Sequence, residues 1–112
     1  MQVKDRTFLI TGAASGLGAA TAERLVAGGG HVVLCDLNDA VEAHAAKLGQ
    51  VARAVRGDVT SAADMQRAVD ASLELGGEQG LAGVVHCAGV VSVAKLVALA
   101  VNQLGDTDHA EI

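Results

Sequence analysis

Apolar positions along the chain fall into two patterns, short unbroken runs and stripes that recur every three or four residues, and the two patterns take turns. Phe8 to Ile10 is such a run, and residues 7–11 read as a first strand because glycine follows at once. From Leu17 to Ala27 small and apolar residues dominate. Leu17, Ala20, Thr21 and Leu25 fall near one face of a helix, and Gly28-Gly29-Gly30 stops it. His31 to Cys35 is continuously apolar, as a strand covered on both faces must be. Asn38 or Asp39 can cap a second helix over Val41 to Leu48, closed by Gly49. Val51 to Arg56 alternates apolar with basic residues, which suits a third strand nearer the sheet edge.

Ser61-Ala62-Ala63-Asp64 has capping-box spacing, with Asp in place of the more usual Glu or Gln. Met65, Val69 and Leu73 recur behind it as the core stripe of a third helix, and Gly76-Gly77 ends that helix. Leu81 to His86 reads as a fourth strand. Ser92 to Leu104 reads as a helix with Leu96, Leu99 or Ala100, and Leu104 on one side, and the polar stretch from Gly105 to Ile112 frays. Strands alternating with helices over short links imply right-handed crossovers, hence an α/β fold with a parallel sheet.

Composition narrows the class. At 112 residues the chain makes one domain at most, and its 51 % hydrophobic content sets it apart from disordered sequences. A net charge of −5, with acids and bases scattered, argues against nucleic acid or an anionic membrane surface as partner. Val90 to Val101 is interrupted by Ser92 and Lys95 and is too short to span a bilayer. The first residues hold no apolar signal core, so a cytoplasmic location is expected. Cys35 and Cys87 read as buried thiols rather than disulfide partners. His31, His44, His86 and His109 show no metal-ligand spacing and read as non-catalytic, so no metal is expected.

The chemistry concentrates where the first strand meets the first helix. Gly12, Gly16 and Gly18 occupy that junction. A helix start carries backbone N–H groups without partners and the positive end of the helix dipole, which together suit a pyrophosphate. Gly12 permits the sharp turn, Gly16 and Gly18 leave room for phosphate and for close helix packing, and Ser15 can donate a hydroxyl. Asp36 ends the second strand, eighteen residues beyond Gly18, where a carboxylate can accept from the diol of an adenosine ribose. Leu37 follows, with no Arg or Lys nearby for a 2′-phosphate, so NAD is favoured over NADP. The competing reading of the glycines is a turn that merely links strand to helix.

Thr11-Gly12-Ala13-Ala14-Ser15-Gly16-Leu17-Gly18, then Asp36, then Asp58-Val59, then Cys87-Ala88-Gly89, resembles in register the cofactor signature of the short-chain dehydrogenase/reductase family. Within that family the wording is nearest to the type 2 3-hydroxyacyl-CoA dehydrogenases. The resemblance covers roughly residues 4 to 91. It implies a Rossmann-like doubly wound parallel sheet, truncated at about four strands in the order 3-2-1-4, with helices on both faces. Helices one and two would share one face and helix three the other. Residues 1–91 would form the dinucleotide-binding half-domain, and 92–112 a helix plus polar tail that diverges from the family.

On the same resemblance Leu17 and Leu37 join the cofactor contacts, Asp58 meets the adenine amino group, Val59 packs on the ring, and Cys87, Ala88 and Gly89 keep the chain close to the cofactor. Asp58 also reads as a plain turn residue. Val101-Asn102 resembles the family's water-holding asparagine but comes early after Gly89, and Asn102 reads better as a polar position on a helix turn. The family's general acid/base is a tyrosine in a Tyr-x-x-x-Lys pair, and this sequence contains no tyrosine. The chain is therefore expected to bind NAD without performing hydride transfer by itself, whether as a fragment, a natural truncation or an internal deletion. The alternative is a non-catalytic nucleotide-binding or self-association module, a homo-oligomer joined through an exposed strand edge or the last helix.

Overall fold

Strands and helices alternate over residues 3–87, the part of the chain that the computed structural model describes. They are β1 (Thr7–Thr11), α1 (Gly16–Ala27), β2 (His31–Asp36), α2 (Ala40–Leu48), β3 (Ala52–Arg56), α3 (Ala62–Gly76) and β4 (Gly83–His86). All pairings are parallel and the sheet order is β3-β2-β1-β4. Thr11 at the end of β1 stands beside Cys35 of β2 and His86 of β4, so the carboxyl ends of these strands form one rim. The helix expected over 92–104, the polar tail, Ala88, Gly89 and Asn102 lie outside the described residues.

Burial explains the order. Every residue of β1 is buried, as are Val32 to Cys35 of β2, whereas β3 and β4 are exposed or half-buried along their length. The most apolar runs thus take the centre, and the run with alternating arginines takes the edge. Two cores flank the sheet. Leu9, Val33 and Cys35 pack against Met65, Ala68 and Val69 of α3 on one face. On the other, Ile10, Val32 and Leu34 pack against Ala22 of α1 and Val41 and Ala45 of α2. Helices one and two do share a face, and helix three covers the other. Each fully buried Val, Leu or Ile contributes roughly 1.5–3 kcal/mol.

Helix ends follow the glycines: Gly28, Gly49 and Gly77 cap α1, α2 and α3. After α2's expected cap the outcome divides. Asp39 stands at the N-cap without a side-chain bond, and Asn38 Oδ1 instead accepts from Ala40 N–H at 2.8 Å.

Two expectations need correction. Leu17 does not face the sheet, being 69 % exposed; the inward stripe of α1 is Gly18, Ala22 and Leu25. A helix packed this tightly must put its smallest residues on the contact line. A Cβ on Gly18 would lie 2.4 Å from the Gly12 carbonyl oxygen and 2.7 Å from Ala13 Cα. The fourth strand begins at Gly83, not Leu81; Leu81 is 2 % exposed in the α3-side core, and Ala82 N–H still reaches Thr7 O at 2.8 Å.

Candidate functional site

The bend between β1 and α1 is held from within. Gly12 adopts φ 67°, which a side chain would strain. Ser15 N–H donates to Gly12 O at 3.1 Å, and the Ser15 hydroxyl also donates to that oxygen at 2.7 Å. The same hydroxyl oxygen accepts from Gly18 N–H at 3.0 Å, making Ser15 the N-cap of α1. The hydroxyl expected to donate outward is thus committed to the turn. Gly16 and Leu17 N–H are left without a partner among the described residues. A Cβ on Gly16 would meet nothing within 4 Å, so neither packing nor backbone conformation explains that glycine.

Asp36 reaches this bend from the end of β2. Its Oδ2 accepts from Ala14 N–H at 3.0 Å and its Oδ1 from Asn38 N–H at 3.0 Å. Each oxygen keeps lone-pair capacity for a further donor. From α2, His44 Nδ1 donates to Ala13 O at 3.3 Å and braces the turn from behind.

The loop after β3 completes the rim. Asp58 Oδ1 accepts from Thr60 N–H at 2.8 Å and from its hydroxyl at 2.7 Å. That N–H first, then the hydroxyl, hold the Asp58 carboxyl below the usual carboxylate range. Asp64 departs from the expected capping box. Ser61 Oγ accepts from Asp64 N–H at 3.2 Å, but the Asp64 carboxylate takes Asp58 N–H at 2.9 Å rather than Ser61 N–H, which donates to Asp58 O at 3.0 Å. With one methylene fewer than Glu, Asp64 meets the loop instead of curling back to the cap.

These segments enclose a groove of about 350 Å³, within the range of small-molecule sites. Gly12 and Ser15 line it from the bend, Asp36 and Leu37 from the end of β2, Asp58 and Val59 from the loop after β3, and Cys87 from just past β4. Gly16 and Leu17 flank the bend without lining it, and Gly18 lies beneath. Gly57 also lines the groove and was not among the expected contacts, although a glycine directly before the strand-end aspartate was its signal.

Cys35 and Cys87 are both free thiols and belong to opposite faces of the sheet. Burial first, then the negative charges of Asp36 and Asp64, push the Cys35 thiol up to about 11, so it stays protonated and inert at neutral pH. Cys87 is half-buried, not buried as expected. Among the described residues no three His, Cys, Asp or Glu side chains are grouped so as to hold a metal ion, and no helix is long and apolar enough to cross a membrane.

A family model described as short chain dehydrogenase matches residues 6–108. The chain is 45 % identical over 102 residues to the 3-hydroxyacyl-CoA dehydrogenase type-2 of Bos taurus, covering 90 % of this chain and 38 % of that protein. It is 53 % identical over 68 residues to the Homo sapiens protein of the same name, covering 60 % of this chain and 26 % of that one. Among solved structures, 3-hydroxyacyl-CoA dehydrogenase type-2 from Mycobacterium avium superposes with a TM-score of 0.69 at 36 % identity, over 78 % of this chain and 34 % of that one. A 3-ketoacyl-(acyl-carrier-protein) reductase from Brucella melitensis complexed with NADH gives 0.64 at 39 % identity, over 67 % of this chain and 31 % of that one. This sequence thus spans well under half the length of these relatives. With the sheet order and the glycine bend in agreement, the chain belongs to the short-chain dehydrogenase family.

Proposed function

We propose that the groove binds the adenosine and pyrophosphate of NAD(H). The observation that carries this reading is the meeting, on one rim, of the unpartnered Gly16 and Leu17 amides with the Asp36 carboxylate. The amides and the positive end of α1 receive the pyrophosphate, and the open space over Gly16 is the room it needs. Asp36 accepts from the ribose hydroxyls. Its charge repels a 2′-phosphate, and no Lys or Arg lines the groove among the described residues, which favours NAD over NADP. Val59 and Leu37 flank the adenine, Asp58 accepts from its amino group, and Cys87, Ala88 and Gly89 let the chain pass close to the cofactor.

In the whole protein the bound nicotinamide would exchange hydride with a secondary alcohol or ketone, and the names of the bovine and human relatives favour a 3-hydroxyacyl thioester. This chain's residues bind and orient; with no tyrosine in the sequence, the family's proton donor is missing and the chain alone is inactive. Titration with NADH, followed by fluorescence, tests the reading. Saturable binding that Asp36→Ala weakens about 10- to 100-fold is expected, since a hydrogen bond to a charged group is worth roughly 1.5–3 kcal/mol. Absence of binding, with dimers in solution, would replace it with a self-association module.

A further inference from the structure

The loop that presents Asp58 to the groove is fastened at both ends from α3. Arg67 uses one guanidinium nitrogen twice, donating to Arg56 O at 3.0 Å and to Asp64 Oδ1 at 2.9 Å. The other Asp64 oxygen, Oδ2, holds Asp58 N–H at 2.9 Å. Between those anchors lies Gly57, buried, where an added Cβ would come within 3.1 Å of Asp64 Cβ. Asp64 therefore sits directly behind the loop without lining the groove. The Asp58 N–H first, then the Arg67 guanidinium, keep the Asp64 carboxyl below the usual range, so the clamp is charged at neutral pH.

On the groove side, Asp58 Oδ1 is turned toward Thr60, and Oδ2 has no partner among the described residues. An ionised carboxylate only accepts hydrogen bonds. A base edge carrying an amino group suits it, and one carrying a carbonyl oxygen is repelled. Which way that oxygen points depends on the Asp58 backbone, and Asp64 fixes that backbone. We propose that Asp64 is a positioning residue that sets the groove's preference for adenine by holding the Asp58 backbone against α3. The inference rests on the dinucleotide reading of the groove and adds a determinant that touches no ligand.

Calorimetric titration of the full chain with ADP and with inosine diphosphate, which carries an oxo group in place of the amino group, tests it. The unsubstituted chain should bind ADP about tenfold more tightly. Asp64→Ala should bring the two affinities within about two- to threefold, chiefly by weakening ADP, and Asp64→Asn, which keeps an acceptor for Asp58 N–H, should restore part of the preference. Val69→Ala, which opens the α3 core without touching the clamp, should lower Tm and leave the ratio intact. A folded Asp64→Ala chain with the full preference overturns the inference while leaving the dinucleotide reading standing. Equal binding of both nucleotides by the unsubstituted chain overturns the role given to Asp58 and this inference with it. Binding of neither overturns the groove reading itself.

Discussion

The starts of α1 and α3 are built alike and used differently. Both have an N-cap serine in extended conformation whose hydroxyl accepts from the N–H three residues on, Ser15 from Gly18 at 3.0 Å and Ser61 from Asp64 at 3.2 Å. The difference is that third residue. In α3 it is an aspartate, which puts negative charge in the first turn and ties the preceding loop to the helix. In α1 it is a glycine packed under the bend, and the first turn holds no acid at all. One helix end is thus neutralised from inside, while the first turn of the other carries no such charge and, on the reading proposed above, takes an anion from outside. A single position thus separates a helix start tied to its own loop from the one proposed to receive the pyrophosphate.

Substituting the two glycines of the α1 start separates packing from binding, and gives the largest effect. Gly18→Ala drives a Cβ into the Gly12 carbonyl. Overpacking of this kind costs roughly 1–3 kcal/mol, so Tm should fall by about 5–20 °C, and NADH binding should be lost with the bend. Gly16→Ala meets no protein atom. Its Tm should hold or rise slightly, because replacing glycine by alanine at a compatible position stabilises by about 0.4–1 kcal/mol. NADH affinity should nonetheless drop, since the methyl group takes the space assigned to phosphate. Thermal melts and NADH titrations of the two variants check both halves; a Gly16→Ala chain that binds as tightly as the parent breaks the contrast.

The same glycines show how far the sequence could be read. Alternation of apolar runs and stripes, punctuated by glycine, placed β1, α1, β2, α2, β3 and α3 to within a residue or so, because glycine stops and buried runs are local signals. The order 3-2-1-4 came from family likeness; it depends on long-range pairing that no local pattern carries. Periodicity points to Leu17 because it rewards large apolar residues, whereas contact between α1 and β1 is set by close approach and so by Gly18 and Ala22. Leu81 looks like part of β4 in the sequence because a core residue and a strand residue share the same apolar signal, yet it packs in the core ahead of the strand. Asp36 is legible as a rim residue from its spacing, but its bond to Ala14 N–H joins residues 22 apart, a long-range contact that no local pattern carries. Nor does a local pattern carry the choice of Asp64 between Ser61 N–H and Asp58 N–H, which differ only in loop geometry.

An intermediate effect comes from making α1 resemble α3. Leu17 is 69 % exposed beside the unpartnered amides, so Leu17→Asp adds an acid to the first turn without opening the core. A carboxylate there should stabilise the helix by about 0.3–1 kcal/mol, raising Tm by a few degrees. The same charge should compete with the pyrophosphate and weaken NADH about tenfold, less at high salt. Opposite signs for stability and affinity are the expected signature. A variant that melts higher and binds NADH unchanged would show that the end of α1 receives no anion.

The smallest effect lies in acid, and it belongs to α3 alone. Asp58 and Asp64 both have carboxyl groups held below their ordinary range, Asp58 by Thr60 and Asp64 by the Asp58 N–H and Arg67. A carboxyl whose pKa is lower in the folded chain than in the unfolded one contributes stability that is complete above the unfolded value and is lost as pH falls through the folded one. The gain in Tm of the parent over Asp64→Asn should therefore be constant from about pH 5 to 8 and shrink only below about pH 4. Its size is small because the carboxylate is partly exposed and its Arg67 partner more so, at 29 % and 58 % of their side-chain surfaces. The α1 start has no acid to titrate, so the gap between parent and Gly16→Ala should not move over the same range. If melting curves show the Gly16→Ala gap tracking acid instead, or the Asp64→Asn gap flat down to pH 3, charge is not what distinguishes the two helix starts.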